Sequence, residues 1–214
     1  MSADDPYMIQ GTNVLRNKLE LTDQVELDRA ERQLVVARTM QGVPRGDFNL
    51  KHLQAIHRHL FQDVYEWAGE LRTLEINKGG SQFQLQRYIE QGMADVHNRL
   101  LKSNYLTSLS PEKFATAAAE IIGDVNYAHP FREGNGRTQL QYLKQLGDFA
   151  GHKVDVDRLD PGTWQAASRA AHNAEYGLMA DAILTQAMGR PLGADERQIG
   201  HAAAFAANRG TSIC

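Results

Sequence analysis

The sequence predicts an all-α protein, a helical bundle with one small β-hairpin. Three observations carry this. Apolar residues recur at helical spacing in nearly every long segment, capping residues and glycines stand at the segment ends, and only residues 73–83 change to strand-turn-strand text. With 214 residues, 42% of them hydrophobic, the chain can bury one sizeable core. Residues 1–190 read as a single domain, and 191–214, which run into an alanine-rich stretch, read as a C-terminal tail.

The first helix is expected from about Asp23 to Gln41, with Leu27, Ala30, Leu34, Ala37 and Met40 on one stripe and Gly42 as its stop. A second follows the cap Asn49 and carries Leu53, Ile56, Leu60, Phe61 and Val64, before the core aromatics Tyr65 and Trp67 and a stop at Gly69. His57 and His59, two apart on this helix, point to different faces and do not form a metal pair. Thr73 to Phe83 forms the hairpin, turning at Asn77-Lys78-Gly79-Gly80; an isolated two-stranded hairpin is marginal in water, so it should lie against helices or act as a flap.

Helix resumes from about Gln86 to Leu101. Ser110-Pro111-Glu112 supplies a cap, a first-turn proline and an acid at the positive end of the dipole for a helix that buries Phe114, Ala118, Ile121, Ile122 and Val125. Another is expected from about Arg137 to Ala150, closed by Gly151, and Asp160-Pro161 opens one that carries Trp164 and Ala167. His172, Asn173 and Tyr176 read as a solvent-facing helix end, with reach toward an adenine ring as the alternative.

The formal charge of −3, from 23 Lys+Arg against 26 Asp+Glu, argues against broad neutralisation of nucleic-acid phosphates. A lone Cys214 supplies neither an internal disulfide nor a thiolate metal cage, and fits a reducing cytoplasm. The acidic start is unlike a signal peptide, and no apolar run approaches membrane-spanning length, so neither membrane nor direct nucleic-acid partners are expected.

Chemistry concentrates in His129-Pro-Phe-Arg-Glu-Gly-Asn-Gly-Arg137. A glycine-rich bend leading into a helix N-terminus lets the amides of Gly134, Asn135 and Gly136 converge on an anion, and the helix adds partial positive charge. Arg137 can hold a second phosphate through paired hydrogen bonds. Glu133 would repel phosphate unless a cation such as Mg²⁺ were shared between them. His129 is the side chain suited to accept a proton from an attacking hydroxyl near neutral pH, and Phe131 reads as an apolar anchor for the bend.

These nine residues resemble the defining pattern of Fic-domain proteins, His-x-Phe-x-Asp/Glu-Gly-Asn-Gly-Arg-x-x-Arg. Leu60-Phe-Gln-Asp-Val-Tyr65-Glu-Trp67-Ala-Gly69, Asn77-Lys-Gly-Gly80, Asp5-Pro-Tyr7 and Asn13-Val-Leu-Arg-Asn-Lys18 are similar too, so the likeness covers roughly residues 7 to 188. The resemblance implies the Fic fold and a bacterial protein adenylyltransferase that moves AMP from ATP to a Tyr, Thr or Ser hydroxyl of a target protein. It implies His129 as general base and Glu133 as the Mg²⁺ ligand. Lys78, Gly79, Arg132, Gly134, Asn135, Gly136 and Arg137 are the nucleotide-binding set, and the hairpin docks the target segment as an added strand.

Stand-alone members of this type act as toxins held by a small antitoxin that supplies an inhibitory glutamate helix, and some modify ATPase subunits of type II topoisomerases. Leu140 stands where the pattern has its second arginine, which contacts the γ-phosphate and receives the inhibitory glutamate, so looser binding of the triphosphate tail is expected. Thr22-Asp-Gln-Val-Glu26 has part of the inhibitory spacing, but Leu27 follows and Thr22 reads as a helix cap. A Doc-like kinase that transfers the γ-phosphoryl group and a nucleotide-binding module without turnover are the alternative functions.

Overall fold

The computed structural model describes residues 5–78 and 81–191, with only the backbone of Lys78 and Ser81. The expected tail, but for residue 191, and Gly79 and Gly80 lie outside these positions. The elements run α1 (Gln24–Met40), α2 (Leu50–Phe61), β1 (Asn77–Lys78), β2 (Ser81–Gln82), α3 (Ile89–Lys102), α4 (Pro111–Ala128), α5 (Asn135–Ala150), α6 (Pro161–Ala171) and α7 (Gly177–Ala182), continued by a π-helical turn, Ile183–Ala187. The two strands pair antiparallel, Asn77 with Gln82 and Lys78 with Ser81.

The helix starts form for the reasons their sequences supply. Asp23, Asn49, Ser110 and Asp160 each accept a hydrogen bond from the backbone N–H three residues on, which satisfies amides that the first turn leaves without partners. Pro111 and Pro161 follow two of these caps at positions that need no N–H. α4 is the central helix and packs against α3, α5, α6 and α7. Its small residues Ala115, Ala118, Ala119 and Gly123 are buried beside Phe114 and Ile122. An added Cβ at Gly123 would stand 2.6 Å from the Tyr176 ring, so that ring sits directly on the helix backbone.

Four local readings differ from expectation. The cap of α1 is Asp23 and not Thr22, because it is the Asp23 carboxylate that accepts the Glu26 N–H. In α1 the buried residues are Leu27, Glu31 and Val35, while Met40 is 84% exposed. Leu27 and Leu34 keep to the core while Ala37 and Met40 face out, and Glu31 is held inside by Tyr65 and Arg137. α5 starts at Asn135, two residues early, because the Asn135 side chain bridges the backbone of Phe131 and closes the bend before Arg137 is reached. The segment from Gly177 to Ala187, α7 and its π-helical turn, has no counterpart in the sequence reading. Among the described residues no helix is long and apolar enough to cross a membrane.

Candidate active site

α4 ends at His129, which adopts a left-handed conformation (φ 43°) and still donates its N–H to Val125 O. Such a conformation is costly for a residue with a side chain and persists only where surroundings enforce it. Arg72 does so. Its side chain is fully buried, and its guanidinium donates to the carbonyls of His129 (2.8 Å), Leu74 (2.7 Å), Ala128 (3.4 Å) and Gln84, while its own N–H donates to Pro130 O. Glu75, 3.3 Å from Nη1, supplies its carboxylate, and burial lowers the guanidinium pKa without removing the charge.

The middle of the bend is held from α2. Gly69 N–H donates to His57 Nδ1 at 2.8 Å, so Nε2 carries the proton and donates to Glu133 O at 2.9 Å. Gly69 reaches the ring because it takes φ +86°, and a Cβ there would strike Arg58 at 2.8 Å. Burial pushes the His57 pKa down to about 4, and the Arg137 charge adds to this. Phe131, fully buried, stacks on the His57 ring with centroids 3.9 Å apart. Asn135 Oδ1 accepts from Phe131 N–H and its amide nitrogen donates to Phe131 O.

Beyond Phe131 the bend leads into the N-terminus of α5. Gly134 has φ +81°, and a Cβ on it would lie 2.4 Å from Phe61. Its N–H donates to Glu133 Oε1 at 2.8 Å. An added Cβ at Gly136, in the first turn of α5, would meet nothing within 4 Å, so that face of the helix N-terminus is open to an approaching group. Arg137 lies over the Phe61 ring at 4.7 Å, with Nη2 2.6 Å from Glu31 and 3.7 Å from Glu133. Tyr65 donates its hydroxyl to the other oxygen of Glu31, and burial beside that carboxylate raises the Tyr65 pKa. A cavity of about 410 Å³ adjoins this cluster, lined by Asp28, Glu31, Tyr65, Glu133 and Arg137 among others.

The imidazole of His129 lies at the other end of the bend. Its Nδ1 is 3.3 Å from Asn126 O, and a carbonyl can only accept, so Nδ1 carries the proton and Nε2 the basic lone pair. The bend therefore carries His129 at one end and Glu133, Gly134, Gly136 and Arg137 at the other, with Phe131 buried between them. The Asn135 side chain belongs to the bend itself, which leaves only its backbone for a ligand. Arg132 is committed to Asp5 of the N-terminal segment, Nη2 to Oδ2 at 2.8 Å, with Met8 Sδ at 3.8 Å. Lys78 is placed only as the strand partner of Ser81, and Gly79 lies outside the described residues.

Sequence reading missed Arg72, His57 and Glu31. The spacing of His57 and His59 speaks only against a metal pair, and Glu31 lies in α1 with no local mark. His172, expected at a solvent-facing end, packs its ring against Phe83 and Tyr127, and Tyr176 donates to Asp124 at 2.6 Å.

One bend in a predominantly helical frame thus carries an imidazole, an open helix N-terminus, a guanidinium and a carboxylate. A model of the Fic/DOC family matches residues 47–146. "Probable protein adenylyltransferase y4lH" of Sinorhizobium fredii is 41% identical over 75% of this chain and 84% of its own length. Protein adenylyltransferase VbhT of Bartonella schoenbuchensis is 36% identical over 82% of this chain and 37% of its own length. The crystal structure of BepC from Bartonella tribocorum with bound AMPPNP superposes with a TM-score of 0.79, at 26% identity, over 90% of this chain and all of that one. The chain belongs to the Fic/DOC family and is a protein adenylyltransferase.

Proposed function

We propose that the protein transfers AMP from ATP to a Tyr, Thr or Ser hydroxyl of another protein, with His129 as the base. The observation that carries this is the bend itself. An imidazole with its lone pair on Nε2 stands one loop away from an open helix N-terminus with an arginine in its first turn. The acceptor oxygen attacks the α-phosphorus and its proton passes to His129 Nε2. The bond to the β-phosphate oxygen breaks, and pyrophosphate leaves. The amides of Gly134 to Gly136 offer hydrogen bonds to the α-phosphate oxygens, and Arg137 takes the β-phosphate. Arg132, tied to Asp5, would have to leave that carboxylate to touch nucleotide, and Lys78 and Gly79 would line it from the hairpin.

Glu133 suits Mg²⁺. Its side chain is half exposed, and its carboxylate already sits at the anion-binding amide, where a cation would draw it off and admit phosphate in its place. When bound, Mg²⁺ would neutralise charge on the phosphates. Two carboxylates thus occupy positions that phosphates would take: Glu133 on Gly134 N–H and Glu31 on Arg137.

On this reading the protein works in the bacterial cytoplasm as the toxin of a toxin–antitoxin pair. The antitoxin supplies a glutamate helix, and an ATPase subunit of a type II topoisomerase is the favoured target. ATP labelled in turn at the α and γ positions tests the chemistry in a bacterial lysate. Label on protein from the α position, with an adenylyl adduct by mass spectrometry, is expected. Label only from the γ position would replace the proposal with phosphoryl transfer, and no label from either would leave a nucleotide-binding module.

A further inference from the structure

The imidazole of His129 has a neighbour on one face that no motif marks. Phe83, the first residue after β2, is 8% exposed and lies face to face with His129, ring centroids 3.7 Å apart and planes within 11°. The Phe83 ring meets His172 edge-on at 5.4 Å, and His172 lies 5.3 Å from Tyr127. The backbone keeps this arrangement in register. Phe83 N–H donates to Ile76 O, Gln84 N–H donates to Tyr127 O two residues before His129, and Arg72 donates to both Gln84 O and His129 O. The segment that carries Phe83 is therefore bonded to the same helix end from which His129 emerges.

A ring this close and this parallel does more than fill space. It restricts rotation of the imidazole about its own axis, and its negative π face favours an imidazolium over a neutral imidazole. Any apolar side chain of similar bulk would fill the space, but only an aromatic one supplies the face. We propose that Phe83 is the positioning residue of the catalytic base, fixing the plane of His129 and stabilising the cation that forms as the hydroxyl proton arrives. This rests on the reading of His129 as base for adenylyl transfer.

Phe83→Leu, Phe83→Tyr and His129→Ala separate the two claims. The rate of α-labelled AMP transfer onto lysate protein is measured at saturating ATP, together with the ATP concentration for half-maximal rate. Phe83→Leu should lower the saturated rate about tenfold and leave the half-saturating ATP within about twofold, whereas Phe83→Tyr should restore the rate to within about twofold. Imidazole C–H proton resonances of His129, shifted upfield by the stacked ring, should move downfield in Phe83→Leu and stay in Phe83→Tyr. If Phe83→Leu fails to melt cooperatively, Phe83→Met replaces it in both measurements. A wild-type rate in the aliphatic variant, a Tyr variant as slow as the Leu one, or unmoved imidazole resonances would overturn the inference. A fully active His129→Ala would instead remove the base reading beneath it.

Discussion

The two halves of the bend are built on opposite terms. From His129 to Phe131 nearly every polar group is fixed by an internal partner: Arg72 on the carbonyls, Asn135 on the Phe131 backbone, and His57 on the carbonyl of Glu133 just beyond. From Glu133 to Arg137 the partners are carboxylates on groups that also suit phosphate. Buried hydrogen bonds with single solutions make a rigid half, and carboxylate contacts that a stronger anion can displace make an exchangeable one. The proposed transfer needs both, because a base must not move while a nucleotide comes and goes.

The sharpest way to break this contrast is to remove the rigid half's centre. Arg72→Met keeps apolar bulk but strips partners from the carbonyls of Ala128, His129, Leu74 and Gln84 in a place water does not reach. Unsatisfied buried acceptors should cost about 3–5 kcal/mol of unfolding free energy, read by urea titration. A loss under about 1 kcal/mol would show that the bend holds itself.

His57 gives the next largest effect, and its sign is set by burial. The folded chain keeps His57 neutral down to about pH 4, whereas the unfolded chain protonates it near pH 6.5. Stability from this residue is therefore fully present above pH 6.5 and lost as pH falls toward 4, by about 1.4 kcal/mol per pH unit and about 3 kcal/mol in all. Urea titrations at pH 7.5 and 4.5 should show the gap between wild type and His57→Gln closing by that order. A gap independent of pH would mean that the ring is not locked as a neutral donor.

Gly136→Ala probes the exchangeable half with the fold left alone. A methyl there meets no atom of the protein, and alanine in a helical turn is favoured over glycine by about 1 kcal/mol, so melting temperature should hold or rise. The same methyl stands where a phosphate must approach the amides, and ATP affinity should fall about tenfold or more by calorimetry, about 1.4 kcal/mol. Unchanged affinity would place the nucleotide elsewhere.

Three helix starts were legible because the cap is local: Asn49, Ser110 and Asp160 act within three residues of themselves, whereas α1 is capped by Asp23 and not by its neighbour Thr22, and α7 opens without a side-chain cap to mark it. The bend was legible for a related reason, since its glycines, guanidinium, carboxylate and imidazole fall within nine consecutive positions. What escaped were residues whose role depends on distant partners. Arg72 meets His129, 57 positions on, and His57 meets Glu133, 76 positions on. Neither carries a local signal, because an arginine or a histidine beside apolar text reads the same whether it faces solvent or closes a site. Glu31 carries no mark either, since periodicity gives the buried face to apolar residues, whereas here a carboxylate paired with Arg137 shares it with Leu27 and Val35.

Glu31 also provides the smallest and most direct test of the exchange. Its carboxylate holds Arg137 at 2.6 Å while accepting the Tyr65 hydroxyl, so the guanidinium is neutralised before any nucleotide arrives. If phosphate must displace that carboxylate, Glu31→Gln should tighten ATP binding, because glutamine keeps the shape and the bond from Tyr65 but withdraws the competing charge. Since Arg137 is about a third exposed, solvent screens the pair, and the gain should be modest, about three- to tenfold, on the order of 1 kcal/mol. The opposite sign is equally informative. Weaker binding in Glu31→Gln would mean that the carboxylate orients Arg137 toward phosphate, and Arg137 would then belong with the rigid half of the bend.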